Sequence, residues 1–332
     1  MFRHFLVVRF AFVLLLVSAA PTVAAGLDAA GINDAAAPTG KLPGRPQISA
    51  SIAKLEILLD RAHFSPGEID GKLGENAQKA LTAFAAANGL SFDKAVTAEL
   101  WSRLAAASEG PAVVNYTIAD ADVKGPFLAK VPAKMERMQD LPALNYTSAR
   151  EALAEKFHMS EALLQALNPG QKFDKAGASI AVANVLDTGA STPVARVEVD
   201  KTRQTLSTFD TAGKLTAFYP ATVGSTEKPT PSGTLKVTAV NKNPTYRYNP
   251  KYKFKGVKST KPFTIKPGPN NPVGSVWINL SAEGYGIHGT PDPGKVSKAA
   301  SHGCIRLTNW DAQHVAAGVA KGTPVTFVES TQ

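Results

Sequence analysis

The chain has 332 residues, 44% hydrophobic and 19% charged, which excludes a multi-span membrane protein, a collagen-like chain and a wholly disordered one. The length suggests two or three domains, each able to bury a core, and 36 Lys+Arg against 27 Asp+Glu give a net charge of +9. A single cysteine, Cys304, excludes any intramolecular disulfide.

Met1–Ala25 carries Arg3 and Arg9, then an apolar run Phe10–Val17, then small residues with Val23 and Ala25 at the minus-three and minus-one positions of a cut. That layout predicts a secretory signal peptide, with cleavage after Ala20 as the alternative. A membrane anchor fits less well, because Phe10–Ala20 is 11 residues and a span needs about 20. The mature chain, with 34 basic and 27 acidic residues, is therefore expected in the bacterial periplasm, with no stable membrane span. In an oxidising compartment a lone thiol invites a chemical explanation. The competing reading of Cys304 is a buried small hydrophobe.

Residues 26–47, rich in Ala, Gly and Pro without periodicity, read as a flexible linker. Ile48, Ile52, Leu55, Leu59 and Ala62 then recur at helical spacing; Ala77, Leu81 and Phe84 mark a second helix, and Val96, Leu100 and Leu104 a third. These predict a small helical bundle over 48–106. Leu55 to Leu59, the run Ile69-Asp70-Gly71-Lys72-Leu73-Gly74, and Ala80-Leu81 with Phe84 resemble the peptidoglycan-binding-like domain of cell-wall enzymes. The resemblance implies either glycan binding or a structural role.

Residues 107–140 are Pro-punctuated and read as a connector. Over 141–186 a Ser148-x-x-Glu151 capping box opens a helix through Leu153 and Phe157, Ser160 caps a second with Leu163, Leu164 and Leu167, and Ser179–Val185 alternates as a strand. This order, with Asn168, Pro169-Gly170 and Gln171, resembles a degenerate LysM module, a small α+β unit.

From Val194 the period switches to two. Val197 with Val199, Thr205–Thr208, Leu235–Val240, Val276–Leu280 and Pro324–Val328 read as strands. One clear helix, Trp310–Ala320, follows a Thr308-x-x-Asp311 box. Charge sorts with these segments: residues 26–193 hold 16 basic and 19 acidic side chains, residues 194–332 hold 18 and 8. Lysines and aromatics interleave in Asn241–Lys266, which contains no acid. Such a patch could meet nucleic acid, but export favours an anionic extracellular polymer or peptides with several carboxylates. Its length and place before the motif below predict a lid over the substrate.

The chemistry concentrates in Tyr285-Gly286-Ile287-His288-Gly289-Thr290 and Ser301-His302-Gly303-Cys304-Ile305-Arg306-Leu307-Thr308-Asn309. A cysteine nucleophile with a free pKa of about 8.5 needs a base or cation to form thiolate at neutral pH. His288, at the end of an apolar strand-like approach, suits that role; His302, two residues from Cys304, suits a local structural one. Gly303 leaves backbone N–H groups free to face a developing oxyanion. His288, His302 and Cys304 are also zinc-ligand types, but no fourth ligand with metal-site spacing accompanies them.

The string, with Asp200-Lys201, Gln204-x-Leu206, Gly224, Pro229-Thr230-Pro231-Ser232-Gly233 and Gly268-Pro269-Asn270-Asn271-Pro272-x-Gly274, resembles the L,D-transpeptidase catalytic domain of YkuD type over residues 194–329. The resemblance implies a mainly β domain, a β-sandwich with one helix near its C-terminal end. It implies Cys304 as nucleophile, His288 as general base and acid, and the Gly289 carbonyl as the group that orients His288. The N–H groups of His302, Gly303 and Cys304 would form the oxyanion hole. Arg306 would hold the loop or meet a substrate carboxylate, and Tyr285, Ser301 and Asn309 would lie at the substrate, with Ser301 and Asn309 better suited to fixing the loop than to chemistry. Neither metal nor organic cofactor is required. The implied reaction forms a thioester with a peptidoglycan tetrapeptide stem, releases D-alanine and makes 3–3 cross-links. Another acceptor would give hydrolysis as an L,D-carboxypeptidase, D-amino acid exchange, or anchoring of an outer-membrane protein. A wall-binding protein without catalysis is the remaining alternative.

Overall fold

A computed structural model of the chain describes residues 27–38, 47–107, 109–185, 192–224, 229–252, 256–298 and 303–330. The expected signal segment Met1–Ala25 lies outside them.

Three predicted helices form as α2 (Ala50–Arg61), α3 (Glu75–Ala87) and α4 (Ala98–Ala106). Residues 27–38, expected as part of a flexible linker, instead contain a helix, α1 (Ala29–Asn33), whose first turn is capped by the Asp28 carboxylate on Gly31 N at 2.7 Å. Ile32 is fully buried, and the Asn33 amide exchanges two 2.9 Å hydrogen bonds with the Val113 backbone. Buried Ile32 and Ala35, together with these bonds and those from Lys54 Nζ to the Asn33 and Ala35 carbonyls at 2.6 and 2.9 Å, pin a segment that has no periodicity of its own.

Helix α2 is buried nearly all round, the mark of an interior helix. Ile52, Leu55 and Leu59 face the bundle core with Leu81, Phe84, Leu100 and Leu104. Ala53 and Ile57 face a second core, shared with α1. Between them Glu56, 1% exposed, accepts from Asp70 N (3.1 Å) and Gly71 N (2.7 Å) and so fixes the Asp70-Gly71 turn.

The second core belongs to β1 (Val113–Thr117), α7 (Ala149–Lys156), α8 (Glu161–Leu167) and β2 (Ser179–Ala183), with short α5 (Asp120–Val123) and α6 (Met135–Met138) between β1 and α7. β1 pairs antiparallel with β2. The strand–helix–helix–strand order is present, but its first strand lies in what read as connector. Asn115 and Thr117 alternate with Val114 and Tyr116 on a half-exposed edge, too weak a pattern to stand out beside the prolines.

The remaining strands are β3 (Arg196–Asp200), β4 (Thr205–Phe209), β5 (Leu215–Pro220), β6 (Gly233–Lys242), β7 (Tyr246–Tyr248), β8 (Phe263–Ile265), β9 (Val276–Leu280), β10 (Gly286–His288), β11 (Ile305–Arg306) and β12 (Pro324–Val328), with α9 (Asn309–Gly318) before β12. Eight of them form one continuous sheet in the order β11-β10-β9-β6-β12-β3-β4-β5. The expected two-sheet sandwich is thus corrected to a single curled sheet. The ten-residue β6 explains why: its first half pairs with β12, its second half with β9, and the register shifts between Val237 and Ala239. A bulge there bends and twists one strand enough to serve both halves. Helix α9 closes the core with Ala312 and Val315 against Val197, Ile278, Ile287 and Val325.

In the basic segment expected as a lid, β7 and β8 pair as a hairpin. Tyr248 stacks on Phe263 at 4.7 Å, and both bury against Leu144.

Candidate active site

β10 is three residues long and wholly buried. It pairs antiparallel with β9, setting His288 opposite Trp277, and parallel with β11, setting His288 opposite Arg306 and Ile287 opposite Ile305. Carrying that register back one residue brings Cys304 level with Gly286. Strand alternation then puts Cys304, Arg306 and His288 on one face of neighbouring strands. Cys304 is half-buried, with Sγ 3.6 Å from the Gly284 carbonyl oxygen.

The His288 imidazole is 4% exposed, and its Nδ1 lies 2.6 Å from the Gly289 carbonyl oxygen. A carbonyl only accepts, so Nδ1 carries the proton and donates, leaving Nε2 as the lone-pair nitrogen. Burial, followed by the positive charge of Arg306, pushes the His288 pKa down to about 3. The imidazole is therefore neutral at pH 7. Trp277 covers it, stacked with ring centroids 5.4 Å apart, and Trp277 Nε1 donates to Asn279 Oδ1 at 2.6 Å.

Arg306 is held through its backbone, which exchanges 2.8 and 2.9 Å hydrogen bonds with fully buried Thr222. Its guanidinium is largely buried, and its Nε has no hydrogen-bond partner among the described residues. Arg306 lines a cleft of about 700 Å³ together with Asp292, Glu151, Glu155, Glu161 and Lys130. Tyr285 sits half-exposed in the turn before β10, its N donating to Ala282 O at 3.2 Å. Gly303 has φ +98° immediately before Cys304. Ser301 and His302 lie outside the described residues.

Asn309 departs from the substrate-contact expectation. It is 1% exposed, and its amide is fully engaged: Oδ1 accepts from Ser275 N at 3.0 Å, and Nδ2 donates to Glu155 Oε1 at 2.9 Å and Pro269 O at 3.2 Å. A side chain with every polar atom paired in the interior fixes loops. The glycines around it show how tightly: a Cβ on Gly289 would lie 2.1 Å from Asn309 Oδ1, and one on Gly274 2.0 Å from it.

Trp277, Thr222 and Glu155 were not among the expected site residues. Trp277 lies within the predicted strand Val276–Leu280, and only cross-strand register sets it on His288. Thr222 lies in an unremarkable Ala-Thr-Val run. Glu155 sits 154 positions from its partner Asn309, a pairing that no local pattern carries.

The L,D-transpeptidase catalytic domain family, YkuD, matches residues 195–327. A putative L,D-transpeptidase YkuD of Bacillus licheniformis is 33% identical over 181 residues, covering 53% of this chain and 92% of the relative. Its Bacillus subtilis counterpart is 31% identical over 177 residues, covering 53% and 91%. Among solved structures, an L,D-transpeptidase from Mycobacterium smegmatis overlays 46% of this chain and 63% of its own, at 20% identity and a TM-score of 0.33.

Proposed function

The chain belongs to the L,D-transpeptidase family of YkuD type, and from that premise we propose that Cys304 is acylated by a peptidoglycan stem peptide with His288 as its general base. The observation that carries this reading is the His288–Gly289 hydrogen bond, which leaves a neutral imidazole with its Nε2 lone pair unprotonated beside the strand that Cys304 opens.

At rest the imidazole is neutral. As Cys304 Sγ bonds to the carbonyl carbon between the third residue and the fourth, D-alanine, His288 Nε2 takes the thiol proton. Negative charge moves to the carbonyl oxygen, which the N–H groups of His302, Gly303 and Cys304 would meet. Collapse breaks the C–N bond, the imidazolium protonates the D-alanine amine, and a thioester remains. A side-chain amine of a second stem then attacks the thioester, giving its proton to His288 and returning Cys304 to the thiol. The product is a 3–3 cross-link. Arg306 lines the cleft, its Nε without a hydrogen-bond partner among the described residues, and its guanidinium suits a stem carboxylate. The lysines of Asn241–Lys266 would attract the same polyanion and close over it. Exchanging them for serine is expected to weaken wall binding at low salt.

The mature chain would work in the periplasm, on glycan-linked stems. Among the described residues no helix is long and apolar enough to cross a membrane. Of the two roles open to the N-terminal modules, the structural one is favoured by α2, which is buried between two cores.

Intact-protein mass spectrometry after mixing with a carbapenem or a tetrapeptide stem tests the reading. A single adduct on Cys304, lost in Cys304→Ser and slowed in His288→Ala, is expected. An adduct that persists in Cys304→Ser overturns it. Mass analysis of muropeptide products then separates cross-linking from hydrolysis, exchange or attachment to a protein lysine.

A further inference from the structure

The second module reaches the catalytic histidine through a short chain of contacts. Glu155, on α7, accepts from Asn309 Nδ2 at 2.9 Å and from the Tyr146 hydroxyl at 3.0 Å, both on Oε1. Asn309 Oδ1 holds Ser275 N and packs so closely on Gly289 that no Cβ fits between them. The Gly289 carbonyl is the partner of His288 Nδ1. Further bonds tie the same two regions: Leu144 N donates to Pro267 O at 2.8 Å, Asn270 N to Leu144 O at 2.9 Å, and Asn270 Nδ2 to Asn145 O and Glu151 Oε1 at 3.0 and 2.8 Å.

We propose that Glu155 is a positioning residue for the acyl-transfer reaction, supplied by the second module. It locks the Asn309 amide, which in turn sets the Gly289 carbonyl that orients His288. The inference rests on the proposed role of His288 as base.

The geometry explains why a carboxylate stands in this interior. Asn309 Nδ2 needs an acceptor, and without one a buried donor is left unpaired. Among the described residues the catalytic domain supplies only the Pro269 carbonyl, at a longer 3.2 Å. Glu155 completes the set, while Tyr146, Glu151 and His158 are the titratable groups around it. Asn309 freed from Glu155 can turn its amide away. Gly289 then loses the contact that holds its carbonyl in line with Nδ1, and the His288 ring leaves its set orientation. Misplacement of a reacting group by an ångström costs about a hundredfold in rate.

The test compares full-length wild type with Glu155→Ala, Glu155→Met and Glu155→Gln. Readouts are the acylation rate of Cys304 by a carbapenem, its alkylation rate by iodoacetamide across pH 5–9, and the thermal midpoint. Glu155→Ala is expected to cut acylation by about a hundredfold and to shift the alkylation pH profile towards that of an unassisted thiol. Glu155→Met, which keeps the volume, should do the same if alanine prevents folding. Glu155→Gln should recover most of the rate, because both donors converge on one oxygen that an amide carbonyl reproduces. Arg150→Ala, on the same helix as Glu155, removes an exposed ion pair with Glu161 of α8 and should leave acylation unchanged. A folded Glu155→Ala or Glu155→Met protein with the wild-type rate and pH profile overturns the inference alone. Absence of any Cys304 adduct in wild type overturns the proposed function instead.

Discussion

The imidazole of His288 lies within 15° of parallel to the indole of Trp277 across the β9–β10 pair. The stack excludes water from one face of the ring and accounts for part of the burial that lowers its pKa. It depends on Gly286, where a Cβ would meet the indole at 2.6 Å and the Ile278 carbonyl at 2.9 Å. In Trp277→Ala the hydrated imidazole should titrate upward from about 3 towards the free value near 6.5. Acylation would then fall steeply below pH 6.5, where wild type keeps its base unprotonated. Gly286→Ala should show the same signature, with a stability loss of about 1–3 kcal/mol from overpacking. A pH–rate profile of Cys304 acylation decides; identical profiles for wild type and Trp277→Ala would refute the role given to the stack.

The low pKa of His288 also makes a statement about folding. The unfolded chain takes up this proton near pH 6.5, whereas the folded chain resists until about pH 3. Stability from this group is therefore fully present above pH 6.5 and is lost progressively as pH falls from 6.5 to 3. Replacing the ring should remove that slope, so that His288→Gln, less stable at pH 7, loses less than wild type on going to pH 4. The difference should reach roughly 2–4 kcal/mol. Urea unfolding of both proteins at pH 7, 5.5 and 4 measures it, and parallel losses would contradict it.

These two residues also show what a sequence can and cannot carry. His288-Gly289 and the run to Arg306 stand out because rare reactive residue types sit at short, fixed separations. Trp277 does not, since its meaning arises from register between strands of five and three residues, and β10 and β11 are too short to show a period. The ten-residue β6 and the five-residue β9 are legible from alternation. The bulge that turns two expected sheets into one is a single extra residue in β6. Ile32 and Glu155 lie further still from any pattern: one apolar residue in an Ala-Gly-Pro stretch and one carboxylate on a helix acquire roles only when distant elements arrive. The Asn309 side chain, read as a candidate for substrate, is claimed by that arrival.

The catalytic sheet and the helical bundle share a side chain. Phe218 of β5 is 6% exposed and packs in the bundle core, and its backbone bridges the chain at Phe64 through Ser65 N to Phe218 O and Phe218 N to His63 O, both 2.9 Å. Phe64 in turn meets Phe84 edge-on at 5.3 Å. Phe218→Ala should cost about 3–5 kcal/mol and loosen the bundle from the sheet. Calorimetry should show the wild-type transition separating into two in the variant. A single transition shifted by under a degree would mean that the bundle docks without this residue.

Where α2, the segment before α8 and α9 meet, acidic groups crowd together. Asp311 is 3% exposed and accepts from Ser65 Oγ at 3.0 Å, while both oxygens of Asp60 lie 3.1 Å from His158 Nδ1, whose ring stacks on Trp310 at 5.0 Å. Burial, and then repulsion from Asp60, raise the Asp311 pKa to about 7, with Thr308, Ser65 and His158 pulling the other way. The folded chain holds this proton where the unfolded chain, at its ordinary 3.8, has released it. The stability that the protonated form contributes is thus complete below pH 3.8 and lost as pH rises through 7. Asparagine keeps an oxygen for Ser65 but has no charge to bury. Asp311→Asn should match or trail wild type at pH 4 and gain on it steadily towards pH 8, by about 2–4 kcal/mol. Urea denaturation at pH 4, 6 and 8 reads that divergence directly. A constant offset across the three values would mean that Asp311 is ionised throughout, held by His158 rather than by a proton of its own.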